Sequence, residues 1–487
     1  MFRITPQYDR FSLQPCRIRH LKCDEGKPSC SRCSTDGRKC DGYNYDRKLV
    51  NEEKKLQNAS TPMEQRNSHL ILPRMAPQPR WTLLGSEFEK VNFHHAMSCT
   101  SNDFGSSTYV VRFWFDHLLP LGPHVDYIKH ALIAFGAVHK SFLCSSASML
   151  LAEEGQRCTK AAVWHYNKAM HLLREAMSTP SSTIVETTLV CAFIFICIEI
   201  LWGHYDKACL HLRSGLNVLS SDGALSTQAD FARLRRLAGV FSRLGADVTL
   251  FTGEIIFPNS TFYTSYQHKT NVFHQFSSVS EALEQLHALE LQLVLSSKNV
   301  PNLRPKEDDS GRSAALESLK NWCAHVDIYL SSRADGSSND QDTFQLKLLT
   351  FHRTVWLAFF KNTERKAETM DTGDFIYILN AAEGLLCTPL THPIFAFDLK
   401  IISALAYVCT ISKEPTILRK AVTLLRSLNR REAIWNSWEL AEIFDAVLAA
   451  REQKLWDEKY SYLSLSALAN TLVSLQLLKR NNLCSIK

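Results

Sequence analysis

Five cysteines, Cys16, Cys23, Cys30, Cys33 and Cys40, are spaced C-x6-C-x6-C-x2-C-x6-C within one basic stretch, CRIRHLKCDEGKPSCSRCSTDGRKC. The large aliphatic side chains between them are Ile18 and Leu21, too few to build a hydrophobic core, so coordination must supply most of the folding free energy of this segment. The other ten cysteines, from Cys99 to Cys484, are scattered singly. That scatter suits reduced, mostly buried thiols in an intracellular protein, and in that setting clustered thiols read as tetrahedral zinc ligands and not as disulfides.

Charge is distributed to match. Residues 1–48 hold 11 Lys and Arg against 6 Asp and Glu, which accounts for five of the chain's net +6, and residues 91–487 are balanced. A neutral body therefore carries a basic head, and the field that attracts a polyanion coincides with the cysteines. The first fifteen residues, MFRITPQYDRFSLQP, lack the apolar core of a secretory signal. The most apolar run, Leu189 to Ile198, reaches Glu199 within ten residues and is too short to span a bilayer, so a buried core helix is expected there.

Three regions follow along the chain: a head over 1–48, a linker over 49–89, and a body over 90–487. Pro62, Pro73, Pro77 and Pro79 make the linker an extended spacer. Leu49, Val50 and Leu56 among charges do not sustain the heptads of a dimerising coiled coil. In the body, Tyr166, Ala169, Met170 and Leu173 fall on one helical face, as do Leu286, Leu289 and Leu293. Ser278-x-x-Glu281 ahead of the second stripe is a capping-box pattern. Period-two alternation is scarce, so the fold class is all-α with few strands. Loops are expected over 299–312 and 333–342, both rich in turn formers and charge. No internal repeat at solenoid periods stands out, although degenerate helix pairs remain open.

The head resembles the fungal Zn2Cys6 binuclear cluster regulators, whose pattern is C-x2-C-x6-C, a loop, then C-x2-C-x6-C. Arg17-x-Arg19-x-x-Lys22 before Cys23 and Asp24-Glu25-Gly26-Lys27-Pro28 before Cys30 look like that family's basic first helix and proline-containing loop. The resemblance implies two zinc ions sharing six cysteines, the first and fourth bridging both. By that carry-over Cys16 and Cys23 serve one zinc, Cys33 and Cys40 the other, and Cys30 bridges them. The first cysteine's place is taken by Leu13, which has no lone pair to donate, so each metal is left with three thiolates.

Three accounts of Leu13 stand: a misplaced start over the first fifteen residues, a real cluster holding fewer metals, and a head that has lost metal and DNA. The basic helix would present Arg17, Arg19, His20 and Lys22 to base edges in the major groove of double-stranded DNA, with arginine and lysine donating to guanine O6 and N7. Arg32, Arg38, Lys39, Arg47 and Lys48 would meet phosphates, which gives affinity and salt dependence without sequence choice.

Phe113-Trp114-Phe115, the run His130 to His139, residues 189–219 and Ala208-x-x-His211-Leu212-x-Ser214-Gly215-Leu216 resemble the C-terminal fungal transcription factor domain of the sterol-uptake-regulator type. That resemblance implies a helical regulatory domain and a nuclear protein acting with the transcription machinery on genes of sterol or secondary metabolism. It leaves open a small apolar ligand and a homodimer. Phe193, Phe195 and Trp202 would suit a lipid pocket, but helix packing demands the same residues, and core is the expectation. The histidines, His94, His95 and His204 among them, form no HExxH motif, and neither G-x-S-x-G, G-x-G-x-x-G nor a P-loop occurs. An enzyme is not expected. The other reading is a helical ligand-sensing or interaction protein with a degenerate zinc head.

Overall fold

The computed structural model describes Thr35 and, from residue 85 to 478, all residues except 104–109, 111–112, 145–148, 179–182, 221–227, 259–274, 297–309, 333–339, 365–370, 387–392 and 398. The chain divides into two compact units, Met1–Gln78 and Pro79–Lys487. In the first unit the described residue is Thr35, helical and exposed.

Among its described residues the second unit is all-α apart from three short strands. Its helices are α1 (Glu87–Asp103), α2 (Asp126–Cys144), α3 (Met149–Met177), α4 (Ile184–Trp202), α5 (Tyr205–Ser220) and α6 (Gln228–Thr252). They continue with α7 (Val279–Ser296), α8 (Ser310–Ser331), α9 (Asp340–Glu364), α10 (Thr372–Glu383), α11 (Ile401–Ile411), α12 (Pro415–Leu428), α13 (Ser437–Glu452) and α14 (Leu465–Ser474). The strands are β1 (Ile394–Ala396), β2 (Arg430–Glu432) and β3 (Trp435–Asn436).

Helix α4 is the hub. It is apolar on every face because it is buried on nearly every face, with Leu189, Phe193, Cys197 and Ile200 all in the core. It is also the one described helix long and apolar enough to cross a membrane, yet most of it is packed inside the body. Gly203, at φ 75°, ends it: the Gly203 amide donates to Ile200 O and the His204 amide to Glu199 O, satisfying carbonyls that the helix leaves free. Helix α2 packs on α1, α3 and α4, and α5 packs on α4 and α6. The expected stripe on α3 faces this core, with Tyr166, Ala169 and Leu173 buried.

Helices α7, α8 and α9 form a satellite core around Trp322, whose indole Nε1 donates to Ala282 O at 2.9 Å. Leu286, Leu289 and Leu293 are buried there. Ser278 caps α7 by accepting from the Glu281 amide at 3.2 Å, but Glu281 reaches back to the amide of Ser277 at 2.8 Å, one residue before the position the pattern predicts. The unremarked pair Ser86-x-x-Glu89 closes the full reciprocal box at the start of α1. The loops expected at 299–312 and 333–342 are shorter than the composition suggests. Ser310–Arg312 already belong to α8 and Asp340–Asp342 to α9, since serine and aspartate favour helix starts as well as turns.

The strands sit where α12 ends. Asn429, at φ 40°, stops that helix in the left-handed region, which asparagine tolerates, and turns the chain directly into β2. Strand β2 pairs parallel to β1 with Ile394 opposite Arg430, and antiparallel to β3 with Arg431 opposite Asn436.

Candidate DNA-binding head and buried polar centres of the body

The residues expected to bind metal, Cys16, Cys23, Cys30, Cys33 and Cys40, and those expected at DNA, Arg17, Arg19, His20 and Lys22, lie outside the described residues, as does Leu13. Among the described residues no group of three or more His, Cys, Asp or Glu side chains could hold a metal ion. Among the described residues six cysteines of the body are free thiols: Cys191, Cys197, Cys323 and Cys409 are buried, Cys144 and Cys209 partly so. Burial pushes the Cys209 thiol up to about 11 and that of Cys323 up to about 12, which suppresses the thiolate form that would bind metal or attack.

The body instead concentrates its polar chemistry in sealed centres that tie helices together. Glu199 is 1% exposed on the apolar α4 and cannot stay there unpaired. The Tyr166 hydroxyl on α3 donates to Glu199 Oε1 at 2.7 Å, and His204 Nδ1 donates to Oε2 at 2.8 Å. His211 Nε2 on α5 lies 2.9 Å from the same hydroxyl; with that proton given to Glu199, the imidazole must be the donor, which fixes its tautomer. Burial lowers the His211 pKa and raises that of Tyr166, so both stay neutral. One carboxylate thus joins α3, α4 and α5.

A second centre joins the satellite core to the rest. Lys400, at φ 53° ahead of α11, donates through Nζ to Glu290 Oε2 on α7 at 2.5 Å and lies 3.7 Å from Asp247 on α6. His287 Nδ1 is 3.5 Å from Glu290, and Trp356 Nε1 donates to Glu290 Oε1 at 3.3 Å. Burial pushes the Glu290 carboxyl up, but Lys400 and the flanking histidines outweigh it and hold the group well below the usual carboxylate range. Burial holds the His352 imidazole down at about 3.

Of the histidines named in the sequence, His94 is exposed with its Nδ1 3.2 Å from the Ser98 hydroxyl on the same helix, while His95 and His204 are held between elements. His95 Nε2 is 3.0 Å from His139 Nδ1 between α1 and α2, and His204 belongs to the Glu199 centre. His117, in a π-helical turn at Trp114–Leu118, lies 2.7 Å from Glu186 on α4. His130 and His165 face each other at 2.9 Å across α2 and α3. These are packing arrangements linking helices. Sequence reading singled out neither Tyr166 as a hydrogen-bond donor nor Glu199 as an anchor; a lone glutamate closing an apolar helix was the available signal, because burial obliges it to find partners.

The apolar interior beside α4 is filled by side chains. Phe193 and Phe195 are core residues, and the cavity between Ile196, Ile200, Leu212 and Leu244 has a volume of about 10 Å³, room for about one water. A lipid does not fit there.

Two family models match segments of the chain. Residues 14–49 match the fungal Zn(2)-Cys(6) binuclear cluster domain, a segment holding all five cysteines of the head, and residues 72–244 match the fungal specific transcription factor domain. The chain is 28% identical over 219 residues to the aspercryptin biosynthesis cluster-specific transcription regulator atnN of Emericella nidulans, covering 42% of this chain and 33% of that protein. It is 26% identical over 226 residues to the transcription regulator lscL of Purpureocillium lilacinum, covering 44% and 50%. It is 35% identical over 72 residues to adhesion and hyphal regulator 1 of Candida albicans, covering 13% and 11%. The matched stretches thus span half or less of each relative's length. No solved structure matches the chain. The chain thus carries a match to the fungal Zn(2)-Cys(6) binuclear cluster domain in its basic, cysteine-spaced head and to the fungal specific transcription factor domain in the first part of its largely helical body, and the relatives it resembles are named as fungal regulators.

Proposed function

We propose that this chain is a nuclear, zinc-dependent, sequence-specific DNA-binding regulator of transcription and not an enzyme, with a head over 1–48, a linker over 49–89 and a regulatory body over 90–487. The observation that carries this reading is the cluster-domain match over 14–49, which contains every thiol and every basic residue assigned to DNA. In this reading Cys16 and Cys23 hold one zinc, Cys33 and Cys40 the other, and Cys30 bridges them. Zinc supplies the folding free energy of the head. Arg17, Arg19, His20 and Lys22 read base edges, and the five basic residues from Arg32 to Lys48 hold phosphates. Between sterol and secondary metabolism, the relative named for a biosynthesis cluster supports the second as the class of target genes.

The test uses the full chain, with zinc counted by elemental analysis and DNA affinity measured at two salt concentrations. Five phosphate contacts imply that log K falls against log salt with a slope of about −4.5. Leu13→Cys restores the missing ligand and is expected to raise both zinc retention and affinity. Absence of zinc and of salt-dependent DNA binding in both forms refutes the proposal. The competing reading, a body acting through partners with a vestigial head, is favoured by Leu13 and predicts that same double absence.

A further inference from the structure

Helix α3 buries Ala162, Tyr166, Ala169 and Leu173 against the core. On its other side Lys160, Val163, Trp164 and Asn167 follow the i, i+3, i+4, i+7 spacing of one helical stripe, and all four are exposed. Val163 is 44% exposed and Trp164 58%. Tryptophan is among the side chains most enriched at the energetic centres of protein interfaces. This indole is already set in position: the His165 ring meets it nearly at a right angle with centroids 4.7 Å apart, and the His130 ring of α2 does so at 5.9 Å. A side chain ordered in advance loses less freedom when a partner arrives.

The charges around it are of one sign. Lys160 and Lys168 stand one turn before and one turn after Trp164, about 6 Å along the axis in each direction, and Arg174 follows on the exposed side. None of the three makes an ion pair with a described residue, whereas Lys90, Lys129, Arg213 and Arg419 each meet a carboxylate. Between residues 159 and 178 the one acid is Glu175, which faces His171 at 3.5 Å. Asp126, one turn before His130 on α2, is bonded to Lys129 at 2.7 Å. The cations therefore call for carboxylates from outside, and Val163 and Trp164 call for an apolar surface beside them. Duplex DNA would meet the first demand but offers little to the second.

We propose that the outer face of α3 docks an acidic amphipathic helix of a partner protein, its aliphatic side on Val163 and Trp164 and its carboxylates on Lys160, Lys168 and Arg174. The buried face of α3 is untouched by such docking. Neither zinc nor DNA takes part, so this surface stands or falls separately from the head.

The test follows the full, zinc-loaded chain by fluorescence anisotropy with two fluorescein-labelled peptides of about 18 residues, long enough to hold a helix. One carries leucine on one face and glutamate on the other; its control has alanine for every leucine. The basic head attracts both alike by charge, so the ratio between them reports the apolar seat. The wild-type chain is expected to bind the leucine peptide about tenfold more tightly than the control, as befits one interfacial tryptophan. Trp164→Ala should abolish that preference, and the double charge reversal Lys160→Glu with Lys168→Glu should weaken the leucine peptide about tenfold. All three side chains are exposed, so the variants are expected to keep the wild-type unfolding midpoint; should one fail to fold, the wild-type ratio and the other variant decide. Equal binding of the two peptides by the wild type, or a preference that survives Trp164→Ala, overturns the proposal. So does self-association or DNA affinity that falls in these variants in place of peptide binding, because the face then belongs to a second copy or to DNA.

Discussion

Replacing Gly136 with alanine is expected to destabilise the body by about 2 kcal/mol, although alanine is the better helix former. Gly136 is an interior residue of α2, where the exchange by itself favours the helix by about 1 kcal/mol. The crossing with α1 reverses the sign. A β-carbon at this position overlaps the carbonyl oxygen of Asn92 and comes within 2.9 Å of its carbonyl carbon and 3.2 Å of the Ala96 amide nitrogen. These are backbone atoms with no rotamer to escape into, so α1 as a whole has to back away, and Phe93 and Ala96, both buried, lose packing against α2. Overpacking costs about 1–3 kcal/mol, with the upper end appropriate where backbone must move. Setting about 3 kcal/mol of clash against about 1 kcal/mol of propensity leaves about 2 kcal/mol. Urea unfolding followed by circular dichroism at 222 nm measures it, with Gly373→Ala as the control because a β-carbon there meets nothing closer than 3.7 Å. A Gly136→Ala midpoint at or above wild type would refute the close approach of α1 and α2.

Tyr166→Phe removes the hydroxyl shared by Glu199 and His211 and leaves a buried carboxylate oxygen short of a donor, at a cost of about 2 kcal/mol; an unfolding midpoint equal to wild type would show that the Glu199 centre does not tie α3 to α4. Stability should fall as pH drops from about 6.5 towards 4. Burial, with His130 acting in the same sense against Glu89, holds His165 at about 4, and burial, helped by His287 and Lys400 against Glu290, holds His352 at about 3. An unfolded histidine titrates near 6.5, so below that pH the unfolded chain takes up protons that the folded chain refuses. The depressed Glu290 adds to the loss below about 4.3, while Glu432, raised by burial, acts in the opposite sense. Urea midpoints at pH 7, 6 and 5 measure the slope, and His165→Gln should flatten it; a midpoint that does not move across that range contradicts the neutral burial of these histidines.

Where a local pattern was enough, the sequence could be read directly. The stripes on α3 and α7 follow from the 3.6-residue period, and the burial of α4 from its lack of any polar face. The zinc-ligand spacing of the head and its surplus of positive charge are likewise facts of sequence, because chelation and long-range attraction depend on residue type and interval. Loop lengths were overestimated because Ser310 and Asp340 are equally at home in a turn and at a helix start.

Tertiary structure decided what lies between elements distant in the chain. Glu199 could be seen as an intruder in an apolar helix, but Tyr166, which donates to it, lies 33 residues away, and His211, which meets the same hydroxyl, lies 45 residues from Tyr166, intervals that no helical period encodes. The Lys400–Glu290 pair spans 110 residues. The run Arg430-Arg431-Glu432 is charged throughout, yet packing buries all three, setting Arg431 against Ile200 O and Glu439 and Arg430 against Glu432. Sequence determined the kind of protein through motifs whose chemistry is local. Only the fold decided which partner each buried polar group found, as with the Arg430 guanidinium set 3.6 Å from Glu432, because satisfaction of a buried charge is set by whatever the rest of the chain brings beside it.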